Sequence, residues 1–433
     1  MKGIALLLLA PACLLGATAS PHMWADESGQ VRQRWEQHAA YMEETSDDLV
    51  VGMTPEGSVW LWNYNKARGI AKANPVTGAP AGQFDDWIKA KAQWDKYLAG
   101  DSTQASDPGP CPDDLVKLVG CEPPPFYRKY EQTTYLVRFD DGVAVQMRDH
   151  HPVPDRYPYF RFPQGVEYDG TPLSKWKPDD LKAQFQRAGL IPSEQKVMMA
   201  VSTLEGGFDS LNTYDTGYVS AGFVQFASLQ EGSGSLGEML YEMKSANPGE
   251  FKAYFHDFGV DVDDNKALAV MDLANGGELH GQDAAAAIIN DKRLSAVFIH
   301  AGQKSDAYRI AQILFAKKRF YPAEDALTIT TRQGTLTCKI KDVLRSEAGM
   351  ATAMDRKVNV GNLRALPSLL QMVADSTGVS TVDDLAAKES LVLQSLTYRH
   401  DFTKDSWLTQ PAPVDRPASL GDRHKSKRSG RKK

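Results

Sequence analysis

Apolar residues recur along this chain with two periods, and the texture changes near residue 178. Before that point helical stripes and strand-like runs alternate. Val31, Trp35, Ala39 and Met42 fall at helical spacing, which predicts an amphipathic helix. Residues 49–53 and 58–62 are strand-like, and Thr54-Pro55-Glu56-Gly57 between them predicts a hairpin turn. Phe84, Trp87, Ile88, Trp94 and Leu98 stripe a second helix. A loop dense in Pro, Asp and Gly follows over 104–125, then a second hairpin, 133–139 and 143–147, around Asp141-Gly142.

After residue 178 helix follows helix. Pro178-Asp179-Asp180 opens one that ends at Gly189, since proline suits the first helical position and glycine the end. Leu236, Met239, Leu240 and Met243 stripe the next, Phe251, Tyr254, Phe255 and Phe258 another, and 306–320 a longer one. A small hairpin is expected over 327–331 and 335–340, then helices over 341–359, 366–374 and 382–398. The fold class expected is α+β. A mixed N-terminal domain of unassigned role (20–170) precedes a mostly helical domain (171–405) with little β structure, and a tail (406–433) ends the chain.

Composition changes this picture at the two ends. Met1-Lys2, an apolar run over 4–15 and Ala17-Thr18-Ala19 read as a cleavable secretory signal over 1–19. The run is shorter than the roughly 20 residues that a spanning helix needs. The mature protein is therefore expected in the periplasm or outside the cell. Cys111 and Cys121 flank a short loop, which suggests a disulfide in an oxidising compartment. Cys338 is left over, no zinc-ligand spacing occurs, and neither metal nor cofactor is expected. His150-His151 sits in a Pro-rich loop and is expected to face solvent. The formal net charge is −6, yet residues 422–433 hold seven Lys or Arg and one Asp, a local +6 that leaves −12 elsewhere. Such a tail reads as a disordered arm suited to an anionic cell envelope, to nucleic acid, or simply to water.

One stretch carries candidate chemistry. In 193–209, Val197, Val201 and Glu205 fall four apart, and Gly206-Gly207 comes next. Glu205 is thus expected in the last turn of a helix, on a packed face. Burial and the negative end of the helix dipole both disfavour its charged form, raising its pKa above the ordinary value of about 4.3. That is the requirement for a general acid. Asp215 lies ten residues on, in a polar turn that runs into a Gly-punctuated strand, 218–226. Two carboxylates in unlike environments are the equipment of glycoside hydrolysis.

The order of helix-terminal Glu, polar turn, Gly-containing strand with Gln, then helix resembles the lysozyme-like superfamily. Tyr218-Val-Ser-Ala-Gly-Phe-Val-Gln-Phe, then Gly232-Ser-Gly-Ser-Leu-Gly-Glu-Met-Leu240, looks most like bacterial chitosanases. Met354-Asp355-Arg-Lys-Val-Asn359-Val-Gly361 resembles a later chitosanase helix, and Ala221-Gly222-Phe-Val-Gln225 is similar to a strand of soluble lytic transglycosylases. Two departures stand out: Gly206 follows the Glu where transglycosylases carry Ser, and the step to Asp215 is shorter than in chitosanases. The resemblance spans about residues 190–362. It implies a lysozyme-like fold with a small β-hairpin at the active site, and cleavage of a β-1,4-linked aminosugar polymer, peptidoglycan ahead of chitosan or chitin. Glu205 would be the acid. Asp215 would position water or stabilise the sugar cation, and Asn212, Tyr214, Gln225, Asp355 and Asn359 would hold the glycan. The rival from another class is a non-catalytic glycan-binding or scaffold protein that keeps the groove.

The tail reading has a direct check. A chain ending at Ala418 should keep its melting temperature within about 1 °C of the full chain and lose salt-sensitive binding to anionic polymer, as expected of an unpacked basic arm. Calorimetry of the two chains measures the first, and titration with polyanion the second.

Overall fold

The computed structural model describes residues 22–24, 27–37, 40–69, 82–101, 104–149, 160–397 and 399–414. The segment 1–19 read as a secretory signal, His150-His151 and the basic residues 422–433 lie outside them. The protein is α+β. Its N-terminal part runs α1 (Ser28–Gln37), β1 (Ala40–Met53), α2 (Pro55–Ala67), α3 (Asp85–Leu98), α4 (Asp113–Val119), β2 (Tyr127–Arg138) and β3 (Ala144–Arg148). The strands form an antiparallel sheet in the order β1-β2-β3, with Met53 opposite Tyr127 and Ala40 opposite Arg138.

Three local expectations change here. Helix α1 stops at Gln37, and Met42 lies on β1. Thr54-Pro55-Glu56-Gly57 is the start of α2 and joins no hairpin: Thr54 Oγ1 accepts the Gly57 N–H at 3.0 Å, and Pro55 opens the helix. A capping Thr and a first-turn Pro use the residue types a turn uses. Ser58, Trp60, Leu61 and Tyr64 are then the buried face of a helix. Finally, α4 lies between Cys111 and Cys121, and both are free thiols. A seven-residue helix is about 10 Å long, beyond the roughly 4.4–6.8 Å between Cα atoms that a disulfide spans.

The second part begins with β4 (Glu167–Tyr168), α5 (Pro178–Arg187), α6 (Pro192–Ser202), β5 (Leu211–Asn212), β6 (Ser220–Ala221) and β7 (Phe226–Ala227). It continues through α7 (Gly234–Ala246), α8 (Pro248–Tyr254), β8 (Val260–Val262), β9 (Leu268–Met271), β10 (Glu278–His280), α9 (Gly281–Asn290), α10 (Lys292–Lys304) and α11 (Asp306–Phe320). It closes with β11 (Ala326–Thr331), β12 (Gly334–Lys339), α12 (Ile340–Val343), α13 (Glu347–Val360), α14 (Ala365–Thr377), α15 (Val382–Ala386) and α16 (Glu389–Leu396). The β content exceeds the little that was expected: β4-β5-β6-β7 and β8-β9-β10 are antiparallel sheets of very short strands. The stretch 218–226 is two such strands joined by a turn. The helix expected over 341–359 breaks before Ser346, whose hydroxyl caps α13 by accepting the Gly349 N–H at 2.9 Å. The one expected over 382–398 divides into α15 and α16.

Helix α10 is the hydrophobic axis, buried on every side from Leu294 to Gly302. The apolar side chains fall into two clusters. The larger gathers the second part but also takes Trp24, Val31 and Trp35, with Val137, Phe139, Val145 and Met147 from the far end of the first sheet. The smaller holds Met53, Trp60, Leu61, Tyr64, Ile88, Leu115, Phe126 and Tyr127, joined by Phe160 and Tyr214. The clusters therefore do not divide at residue 170. The folded chain also runs past 405: Leu408 is buried, and the Thr409 N–H donates to Glu347 Oε2 at 2.7 Å. No helix among the described residues is long and apolar enough to cross a membrane.

Two glycines fix how closely the chain packs behind α6. A Cβ on Gly207 would lie 2.1 Å from the Thr171 carbonyl oxygen, and one on Gly302 would lie 2.4 Å from Asp209 Cα. Gly207→Ala should therefore cost about 1–3 kcal/mol, as overpacking against backbone does. Urea unfolding of the variant beside the parent reads this out.

Candidate active site

The site is built where α6 gives out. Val197, Met198, Ala200 and Val201 anchor the helix in the core. It ends at Ser202, and Glu205 stands beyond it in a tight turn, not in the last helical turn as the spacing suggested. The N–H groups of Glu205 and Gly206 both donate to the Ser202 carbonyl, at 3.1 and 2.9 Å. Gly206 then takes φ of +128°, a backbone region essentially reserved for glycine. Asp209 locks the chain just beyond this turn. It is 1% exposed and accepts from Thr171 N at 2.7 Å, Thr171 Oγ1 at 3.2 Å and Gln303 Nε2 at 3.3 Å.

Released from the helix face, Glu205 meets α13, which packs along α6, and a residue from beyond α16. Its Oε1 accepts from Asn359 Nδ2 at 3.1 Å and from Arg399 Nη2. Arg399 also donates to Asp355 Oδ1, from Nη2 at 2.9 Å and from Nε at 3.2 Å. Asn359 Nδ2 lies 3.1 Å from the same Oδ1. Two carboxylates thus share one guanidinium, and the side chains of Glu205, Asp355 and Arg399 are 9%, 1% and 12% exposed.

Electrostatics follow from that count. With both acids ionised the cluster carries one uncompensated buried negative charge; one retained proton makes it neutral. Burial pushes the Glu205 carboxyl upward and outweighs the pull of Arg399, while the Asp355 charge adds to the rise. Burial alone would push the Arg399 guanidinium down, but Glu205 and Asp355 hold it above its ordinary value. Because Glu205 Oε1 takes both hydrogen bonds, Oε2 is the oxygen free to carry a proton.

Asp215 occupies a different turn. Its Oδ1 accepts the Gly217 N–H at 2.7 Å, and its Oδ2 accepts from Asn212 Nδ2 at 3.2 Å. Asn212 Oδ1 in turn takes the Tyr214 N–H at 3.0 Å. Tyr214, expected to hold substrate, has its ring buried in the small core, 6.1 Å from the Phe160 ring centroid. It supports the turn from beneath. Gln225 has φ of +53°, and Tyr218 and Leu229 also lie in the left-handed region, an unusual concentration of backbone strain in one loop. Gln225 Nε2 donates to Ser210 Oγ at 2.8 Å and to the Gly222 carbonyl at 3.2 Å. Its Oε1 is buried with no hydrogen-bond partner among the described residues. Ser210 is also the residue that a Cβ on Gly206 would strike, at 2.7 Å, so Gln225 is anchored next to the Glu205 turn.

The structure therefore gathers Glu205, Asp355 and Asn359 into one cluster, pairs Asn212 with Asp215, and anchors Gln225 alongside. Sequence reasoning missed Arg399 and Asp209. Arg399 carries no motif, and no local signal around it marks it as buried. Comparison of the chain with protein-family models, curated proteins and solved structures finds no match.

The Glu205 shift has a signed consequence. A carboxyl whose pKa is raised by folding lends stability in full below its ordinary value, and this is lost as pH rises through the folded value. Glu205→Gln removes the titration, so the stability difference between variant and parent should move in the variant's favour from pH 4 upward. Urea unfolding of both proteins at pH 4 and pH 8 measures it, and a difference independent of pH would contradict the assignment.

Proposed function

We propose that this protein is an exported glycosidase or lytic transglycosylase that cleaves a β-1,4-linked aminosugar polymer with Glu205 as general acid. The observation that carries the reading is a buried carboxyl, shifted toward its protonated form, whose Oε1 is fixed by Arg399 and Asn359. A glycan-binding scaffold needs no such proton store, and this favours the enzyme over the binder.

In the proposed reaction the Glu205 proton passes from Oε2 to the glycosidic oxygen as the bond from that oxygen to the anomeric carbon breaks. The carboxylate left behind is received by donors already in place, Arg399 and Asn359, so it forms without reorganisation. Positive charge developing on the sugar is met in one of two ways. A water attacks the anomeric carbon and gives its proton to Asp215, or the acetamido oxygen of the substrate attacks and Asp215 is spared. In the second case the cyclic cation is then opened by water or by a hydroxyl of the sugar, whose proton passes to the Glu205 carboxylate. Asn212 and Gln225, on either side of the Asp215 turn, are the residues proposed to hold the chain. Peptidoglycan is the favoured polymer, given the secretory signal read at 1–19, with chitosan or chitin as the other substrate of the same chemistry.

Glu205→Gln keeps size and hydrogen bonding but removes the transferable proton. Its turnover should fall by about 10² or more with glycan binding retained. Dye release from purified cell walls, run beside reducing-sugar release from chitosan, gives the rate and the substrate in one experiment. A Glu205→Gln protein as active as the parent, on a glycan the parent cleaves, would falsify the proposal.

A further inference from the structure

A cavity of about 380 Å³ opens where the first sheet meets the helical body. Tyr41 of β1 walls it on one side, the stretch from Asp272 to Leu279 on another, and the junction of α9 with α10 on a third. Sites for small molecules occupy roughly 300–1,000 Å³, with an apolar lining and a few placed polar groups. This lining has that character. Leu273 and Leu279 supply an apolar floor. Tyr41 is 38% exposed and stands as an aromatic wall. Its hydroxyl donates to Glu43 Oε2 at 2.9 Å, and the Arg293 guanidinium lies 5.7 Å from the ring centroid. The ring is thus held at its polar edge and from one face.

The polar groups decide what the cavity accepts. Asp291 takes Arg293 Nε at 3.0 Å and Nη2 at 2.7 Å, a bidentate pair whose charges cancel. Asp272 Oδ1 accepts the N–H groups of Ala274 and Asn275, and Oδ2 accepts from Asn275 Nδ2 at 2.8 Å. Neither carboxylate calls for a cation, and two acids beside one base repel an anion. Donors are left over. Asn290 Oδ1 accepts from Gln164 Nε2 at 3.0 Å, but Asn290 Nδ2 meets no acceptor among the described residues, and neither does Arg293 Nη1. The ligand that fits is neutral, with an oxygen acceptor beside a small apolar group. An acetamido group has this form: its carbonyl oxygen suits the two donors and its methyl the leucine floor, while the C–H face of a sugar ring suits Tyr41.

Gln164 also joins the cavity to the Asp215 turn. It lies two residues beyond Phe162, whose N–H donates to the Tyr214 carbonyl at 3.0 Å. Its other neighbour, Gly165, comes so near that a Cβ there would lie 2.5 Å from Tyr214 Cα. One short packed segment therefore connects the two places. We infer that this cavity binds one N-acetylhexosamine unit of the polymer apart from the point of cleavage, with Tyr41, Asn290 and Arg293 as its holding groups. The inference rests on the reading of the substrate as an aminosugar polymer. It gives the N-terminal part, through Tyr41, a share in holding the glycan, and it selects acetylated polymer over chitosan.

The test labels the tyrosine rings of the full chain with carbon-13 and assigns the Tyr41 signal by its loss in Tyr41→Phe. The protein is titrated with tri-N-acetylchitotriose and, separately, with the fully deacetylated trimer. The Glu205→Gln protein is titrated in parallel, so that cleavage of the probe cannot stand in for binding. The Tyr41 signal should shift saturably with the acetylated trimer, with a Kd on the order of 1 mM, and about tenfold more weakly with the deacetylated one. Asn290→Asp keeps the shape and the acceptor for Gln164 but removes the donor, and Asn290→Ala removes both. Each variant, checked for folding by thermal unfolding, should bind the acetylated trimer about fivefold more weakly or worse. A Tyr41 signal unmoved at about 10 mM acetylated trimer overturns the proposal, whatever the Glu205 variant does on cell walls. Equal affinity for the two trimers overturns it as well, and so does a folded Asn290→Asp protein with unchanged affinity. A saturable Tyr41 shift in a parent that releases neither dye from cell walls nor reducing sugar from chitosan supports the site and removes the cleavage reading beneath it.

Discussion

The structure turns on the sharing of one guanidinium by two buried carboxylates. Glu205, Asp355 and Arg399 come from three distant stretches of chain, and burying such groups is unfavourable unless each finds a partner. The elements around them are arranged to supply partners. Helix α13 carries Asp355 and Asn359 one turn apart on the same face, so Asn359 reaches Glu205 directly and Asp355 reaches the Arg399 that Glu205 shares. The opposite end of α13 is pinned just as firmly. Glu389 of α16, kept up by burial, accepts from the Ser346 hydroxyl at 2.6 Å and from the Arg345 N–H at 3.0 Å. Glu347 takes Lys196 Nζ of α6 at 3.1 Å and the Thr409 N–H at 2.7 Å. The start of α13 is thereby tied to α6 and α16, and the cluster is the tie at its other end.

The reach of each signal along the chain decided which features were legible in the sequence. Helices α3, α11 and α14 were legible because their stripes are long and their ends are marked, and α11 begins and ends where the pattern placed it. The first sheet's β2–β3 hairpin was legible from Asp141-Gly142. Helix α2 was not, because Thr54-Pro55 caps a helix with the residues that would also turn a hairpin, and five residues of apolar pattern cannot separate the two periods. Glu205 stood out through its place before two glycines, though its position beyond the helix did not. Asp355 and Asn359 were flagged only through resemblance, as glycan-holding groups, and the hold on Glu205, direct from Asn359 and through Arg399 from Asp355, is a tertiary fact. Arg399 was invisible, since nothing local distinguishes a cation that is buried from one that is not.

The two apolar clusters add a lesson about boundaries. A change of texture near 178 is real, yet Trp24 and Trp35 donate their indole N–H groups to the carbonyls of His256 and Phe258, at 3.0 and 3.1 Å. The first described residues belong to the helical body. The small core, in exchange, reaches forward to claim Tyr214. Composition registers where one kind of sequence gives way to another; packing decides which residues share an interior.

The strap formed by 399–410 also sets an order of events during synthesis. The carboxylates of Glu205 and Asp355 leave the ribosome first, and their common cation leaves 194 and 44 residues later. Thr409, which fastens the strap to the start of α13, comes later still. Until Arg399 emerges the two acids have each other's charge to contend with and no guanidinium between them. The cluster is among the last contacts the folding chain can make, because every residue from 205 to 399 must emerge before it closes. The site is thus withheld from the growing chain by its own topology.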